Sequence, residues 1–174
     1  MQKTKQATPL AFHFADDGET PNNPVLPLLV YRGVLTRDAA DPAALFEKAF
    51  ASHGWGRSWR NGIFDLLHFH TRAHEVLGIA RGNARVQFGG ARGQELDVEA
   101  GDVVVLPAGT GHRRVSASAD LLVVGAYPDN SGLDQKRPGQ IDHARAVAAI
   151  AAVPLPLQDP VYGADGPLMA MWSS

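Results

Sequence analysis

Cysteine is absent from the 174 residues, which removes disulfides, thiolate nucleophiles and thiolate metal ligands together. Any metal in this protein must therefore be held by nitrogen and oxygen donors. No apolar run approaches the ~20 residues of a membrane-spanning helix, and Met1–Asp17 lacks the basic start and apolar stretch of a secretory signal. A cytoplasmic protein with no membrane partner is expected. A basic excess is missing too: 16 Lys and Arg, scattered along the chain against 18 Asp and Glu, leave a net charge of −2 and no footprint for nucleic acid. No internal repeat marks a solenoid or a duplicated barrel.

What is present suffices for a core without staples, since 45% of residues are hydrophobic and 20% charged. The length suits one domain over residues 1–174. Residues 1–58 read as an N-terminal arm, an edge strand and a short helix; residues 59–127 read as a barrel core; residues 128–174 read as a C-terminal helix and arm. Pro21, Pro24 and Pro27 fix φ and deny donors, so the opening segment is extended and Val25–Leu35 suits an edge strand. Asp41 before Pro42 is a helix start, with Leu45, Phe46, Ala49 and Phe50 as its apolar stripe and His53-Gly54 as its end. From Trp59 to Tyr127, short apolar runs separated by glycine turns predict an all-β core of hairpins. Ile141–Val153 returns to a helical pattern, and the tail with Pro160, Gly163, Gly166 and Pro167 looks extended.

Both alternating sets of Leu121–Tyr127 are largely apolar, as are those of Val103–Leu106, so these strands are buried on two faces. A small barrel has only one interior. The proline-rich arms, the helices or a second subunit must cover the outside, and a homodimer is the leading expectation.

The histidines carry the chemistry. A period of two puts His68 and His70 on one strand face with Phe64 and Leu66, pointing together into the barrel. Glu75 follows, with Leu77 and Ile79 on its face, and His112 arrives from a separate strand after Gly101, Pro107 and Gly109. Alone, His68 and His70 would be a hydrogen-bonded core pair. His74 faces away from Glu75 and belongs at the surface or behind the ligands, with replacement of Glu75 as the alternative. His13, His53 and His143 lie in the arm or beside helices and are expected to be solvated. Gly109-Thr110-Gly111 lacks the lysine and the helix of a phosphate loop and is a turn. Arg81 and Arg114 could face an anionic substrate but more commonly hold surface carboxylates, and Trp55, Trp59 and Trp172 are expected to pack the arms.

Gly62, five residues, His68, one, His70, four, Glu75, six, Gly82 resembles the first motif of the cupin family. Gly101, five, Pro107, one, Gly109, two, His112 resembles the second. The departure is Ser116, where the family pattern usually ends on asparagine. The resemblance, which covers roughly Gly62–Ser116, implies a double-stranded β-helix, a jelly-roll barrel of about six to eight strands, with short flanking helices and extended arms. Further stretches, Asp16-Asp17-Gly18, Pro21-Asn22-Asn23, His74–Gly78 and Asp159–Gly163, resemble the small bacterial YjlB-like cupins.

The resemblance implies one divalent metal held by His68, His70, Glu75 and His112. Three imidazoles and a carboxylate suit iron, manganese, nickel, cobalt, copper or zinc and leave positions free for water or substrate. Family analogy favours iron(II) or manganese(II). The expected function is a metal-dependent enzyme of dioxygenase or isomerase type acting on a small polar organic molecule. In that role Phe64, Leu66, Leu77 and Ile79 would limit water access, with His74 lying behind the ligands. The rivals are a non-catalytic binding or sensor module, disfavoured because no output domain accompanies the barrel, and a structural barrel with a vestigial site.

Overall fold

Two-residue alternation sorts the apolar side chains of this chain into two cores. The computed structural model describes residues 5–35 and 39–173; the ends of the expected domain, 1–4 and 174, lie outside them. Among the described residues nine strands form two antiparallel sheets. The larger runs β1 (Leu10–Phe12), β2 (Leu28–Tyr31), β7 (Val103–Leu106), β4 (Glu75–Arg81), β9 (Leu122–Pro128), β3 (Trp55–Asn61). The smaller runs β6 (Gln94–Glu99), β5 (Asn83–Phe88), β8 (His112–Ala117). This is the jelly-roll arrangement that the motifs imply.

Between the sheets lie Leu28, Val30, Leu77, Ile79, Val86, Phe88, Val104 and Leu106. The residues one step along, Leu29, Tyr31, Val76, Ala80, Val103 and Val105, point outward into a second core. Helix α1 (Pro42–Ser52) closes that core with Phe46 and Phe50, each worth about 1.5–3 kcal/mol of burial. Gly78 lets the helix sit so close, because a Cβ there would stand 2.6 Å from the Phe46 ring. The cover required by the doubly apolar strands is thus supplied within one chain, and it does not by itself call for a second subunit.

The α1 start is as expected: the Asp41 carboxylate accepts from the Ala44 amide at 3.1 Å, with Pro42 in the first turn. Its buried stripe is Ala43, Phe46 and Phe50, whereas Leu45 is half-exposed. Helix α2 (His143–Ala151) lies within the expected helical stretch, capped by Asp142. The tail differs from the extended arm expected, since α3 (Pro167–Met171) inserts Leu168 and Trp172 into the outer core.

Two further differences concern strands. β2 is interior and not an edge, because β1, in the segment read as an arm, pairs with it through Leu10–Val30 and Phe12–Leu28. β3 begins at Trp55, ahead of residue 59, and takes the far edge of the sheet beside β9. No helix among the described residues is long and apolar enough to cross a membrane.

Candidate metal centre

Beyond β3 the chain turns back as residues 62–70, which are irregular and not the expected strand; only His68 and Phe69 make isolated bridges, to His112 and Lys136. His68 and His112 exchange backbone hydrogen bonds of 3.2 and 3.0 Å, which locks together two rings that are 44 positions apart in sequence. His70 shares the side of His68, while Phe69 is buried opposite. Glu75 opens β4 in register with Leu106. His68, His70, Glu75 and His112 are all buried, at 6%, 5%, 3% and 2% exposure.

Each ring is oriented by a backbone carbonyl. His68 Nδ1 faces the Leu66 oxygen at 2.9 Å, His112 Nδ1 faces the Thr110 oxygen at 3.0 Å, and His70 Nδ1 faces the Asp134 oxygen. A ring nitrogen against a carbonyl must carry the hydrogen, so each neutral imidazole keeps its lone pair on Nε2. The ligating atoms of the three rings lie within 4.8 Å of one another. Glu75 stands beside this trio, its Oε1 lying 3.4 Å from His70 Nε2 and 3.2 Å from His112 Nε2. His70 Nε2 is buried with no hydrogen-bond partner.

Electrostatics bind these groups into a unit. Burial alone would raise the Glu75 pKa, but His70 and His112 hold it well below the carboxylate range. Burial pulls the His70 pKa down, yet the Glu75 carboxylate, helped by Asp134, holds it above the ordinary imidazole value. Burial and the neighbouring His112 push His68 down to about 3. A proton on His70 thus balances the buried carboxylate where a cation could do so instead. Three neutral nitrogens and one carboxylate, with an orphaned Nε2 among them, fit a divalent transition ion.

A cavity of about 270 Å³ opens onto His68, Glu75 and His112. Trp59, Ile63, Phe64, Leu77 and Tyr127 form its apolar walls, and Arg60, Asn61 and Gln135 bring polar groups. Of the expected neighbours, Phe64 and Leu77 line it, the Phe64 ring standing edge-to-face with His68 at 5.5 Å between centroids. The expected inward face does not extend to Leu66: its side chain is 52% exposed, because residues 65 and 66 bend where a pleat was expected, and its carbonyl alone serves the site. Ile79 packs deeper in the barrel core and does not reach the cavity. His74 is buried and not at the surface, on the side of β4 away from Glu75; its Nδ1 accepts from the Ala108 amide at 2.9 Å and its ring lies 4.8 Å from that of Trp172.

Sequence reasoning missed Tyr127, Asp134 and the role of Trp59. Trp59 faces inward rather than into an arm and donates Nε1–H to the Tyr127 hydroxyl at 2.9 Å. The pair fits because Gly125 leaves room: a Cβ there would lie 2.1 Å from the Trp59 ring. The inward set Val123, Gly125, Tyr127 could have revealed the tyrosine. Asp134 accepts from the Thr71 and Arg72 amides at 2.8 and 3.0 Å and from the Thr71 hydroxyl at 2.5 Å, pinning the turn after His70. It sits on a loop with no periodic signal. His53 and His143 serve Pro160 and Asp16, and Arg114 faces Asp65 at 3.9 Å.

Residues 58–148 match the family model described as Cupin. The chain is 39% identical over 161 residues to a protein of Bacillus subtilis (strain 168) named Uncharacterized protein YjlB, covering 92% of this chain and 94% of that one. Among solved structures, a mutant Bacillus subtilis oxalate decarboxylase is similar at 20% identity and TM-score 0.39, over 64% of this chain and 27% of that one. Acireductone dioxygenase from Bacillus anthracis, with a cadmium ion in its active centre, is similar at 20% identity and TM-score 0.35, over 49% and 57%. With a family model matched over more than half its length and a relative aligned nearly end to end, the chain belongs to the cupin family.

Proposed function

We propose that His68, His70, Glu75 and His112 hold one divalent transition metal ion. The chain is then a single-domain, metal-dependent enzyme of dioxygenase or isomerase type that acts on a small polar organic molecule. The observation that best supports this reading is the orientation of the three imidazoles, whose Nδ1 atoms are spent on carbonyls while their remaining nitrogens face one another beside a buried carboxylate. Burying such a set without a cation or a shared proton would be costly.

When bound, the ion supplies Lewis-acid or redox chemistry at whatever positions the four side chains leave open. Glu75 contributes the one negative charge in the set and so lowers the net charge of the loaded site. Trp59, Ile63, Phe64 and Leu77 exclude water from the approach, and Asn61 and Gln135 offer amides to polar groups of a substrate. Arg60 also borders the cavity, but its guanidinium already pairs with Glu47 at 2.5 Å, so it is not a dedicated anion receptor.

The test is reconstitution with iron(II) or manganese(II), followed by oxygen uptake and product analysis against a panel of small acids, sugars and phenols. Turnover that disappears in His112→Ala supports the proposal. Tight binding of a panel member without turnover overturns the enzyme reading in favour of a binding module.

A further inference from the structure

Among the described residues lining the metal cavity, Tyr127 alone carries a hydroxyl. The register of β4 and β9 pairs Leu77 with Gly125 and Val76 with Ala126, and the next step along sets Glu75 opposite Tyr127 on the inward face. Cross-strand partners stand close enough for their side chains to meet. Tyr127 is buried, and burial and the Glu75 carboxylate together push its pKa up, so the phenol keeps its hydrogen.

The phenol oxygen is held from the other side by Trp59, which donates Nε1–H to it at 2.9 Å. Three features of the neighbouring strands serve that contact. First, β3 carries a bulge: Gly56 pairs with Tyr127 and Trp59 with Gly125, whereas an unbroken ladder would have set Ser58 against Gly125. Second, Arg57, inside the bulge, stands at φ 51°, a left-handed conformation that is unfavourable for any residue with a Cβ. Its guanidinium is tied to the Pro128 and Gly132 carbonyls at 2.8 and 3.1 Å. Third, Gly125 leaves the space that the indole fills, in a strand interior where glycine is otherwise weakening. Each feature is a local cost, and their common product is the placing of the Trp59 N–H on the Tyr127 hydroxyl.

A phenol oxygen that accepts from an indole still has its own hydrogen to give, and Glu75 is the acceptor across the ladder. Oε1 of Glu75 faces His70 and His112 at 3.4 and 3.2 Å, which leaves Oε2 for a further donor. We propose that Trp59, Tyr127 and Glu75 form a hydrogen-bond relay, in which the indole orients the phenol and the phenol donates to Glu75 Oε2. Tyr127 is then a positioning residue for the carboxylate ligand, and β3 sets the orientation of that ligand without touching it. The inference rests on the reading of this centre as a metal site.

The test uses the full chain with cobalt(II), whose affinity is read by chelator competition and whose visible absorption reports the arrangement of its donors. Tyr127→Phe should weaken cobalt binding about tenfold and alter the absorption, and Trp59→Phe should weaken binding about threefold. Trp59→Phe should cost nothing further in the Tyr127→Phe background, because a relay is broken only once. In the metal-free protein both variants should move the carbon-13 carboxyl signal of Glu75. A role in packing alone would lower the melting temperature and leave the cobalt affinity, the absorption and the Glu75 signal of the folded protein where they were. Parent-like values of these three in Tyr127→Phe, or effects of the two variants that simply add, overturn the inference while the metal reading stands. A parent that binds no cobalt overturns the metal reading and the relay with it. Should Tyr127→Phe fail to fold, Trp59→Phe decides, and an unmoved Glu75 signal with parent-like cobalt affinity overturns the relay.

Discussion

Replacing Asp159 by alanine should unfasten the C-terminal segment from the barrel. The carboxylate is fully buried and accepts four hydrogen bonds, from the Tyr31 hydroxyl at 2.5 Å and from the Val161, Tyr162 and Leu168 amides at 2.7, 3.0 and 3.1 Å. Burial and the adjacent carboxylate push the Tyr31 pKa far up, so its hydroxyl remains a donor at every accessible pH. Alanine leaves all four donors without an acceptor, and at about 1–3 kcal/mol each the lower limit is already about 4 kcal/mol. Tyr31→Phe removes one donor and leaves the three amides paired, a loss of about 1.5–3 kcal/mol for one charge-assisted bond. At about 2–4 °C per kcal/mol for a chain of this size, Asp159→Ala should melt at least about 8 °C below the parent and below Tyr31→Phe. Near-ultraviolet circular dichroism should also change, because α3 ends at Trp172, its C-cap, whose Nε1 donates to the Pro27 carbonyl at 2.9 Å. A melting point within about 2 °C of the parent, or a larger loss in Tyr31→Phe, would refute the reasoning.

Gly125→Ala must displace Trp59 from its place over β9 and break its bond to Tyr127, so a loss of about 2–4 kcal/mol is expected in urea denaturation; an unchanged midpoint would show that the ring has room to move. Asp134→Ala frees the turn that follows His70 and should weaken metal binding by about 10–100-fold in a chelator competition, whereas parent-like affinity would mean that the backbone alone orients the ring. Without metal, stability should peak near neutral pH. His68 and His74 are depressed to about 3 and about 4 from 6.5, so stability is lost as pH falls below 6.5. His70 is raised from 6.5, so its contribution is complete below that pH and is lost as pH rises beyond it. Glu75→Gln should flatten the alkaline limb, and stability of the metal-free parent that still climbs from pH 7 to 9 would contradict this.

Much of the scaffold could be read directly. Asp41-Pro42 announced α1, and the doubly apolar runs 103–106 and 121–127 announced strands with a core on each side, because caps and two-residue alternation are local properties. The motif spacings located three rings that the fold gathers within 4.8 Å and a carboxylate beside two of them. What escaped is held by distant partners. Residues 62–70 have the alternation of a strand, but they are tied through backbone bonds to His112, Lys136 and Arg114, and Leu66 consequently faces outward. Likewise β1 exists because β2 offers it an edge, α3 because Asp159 takes the Leu168 amide, and the setting of His70 because the 134 carbonyl happens to arrive there. Such contacts leave no periodic trace in the segment that makes them.

The central claim is that His68, His70, Glu75 and His112 share one cation, and elemental analysis of the purified protein tests it most directly. About one equivalent of a divalent transition metal in the parent, with loss in both His68→Ala and His112→Ala at retained fold, is the result predicted. Equal metal content in all three proteins, or none in the parent after reconstitution, would contradict it.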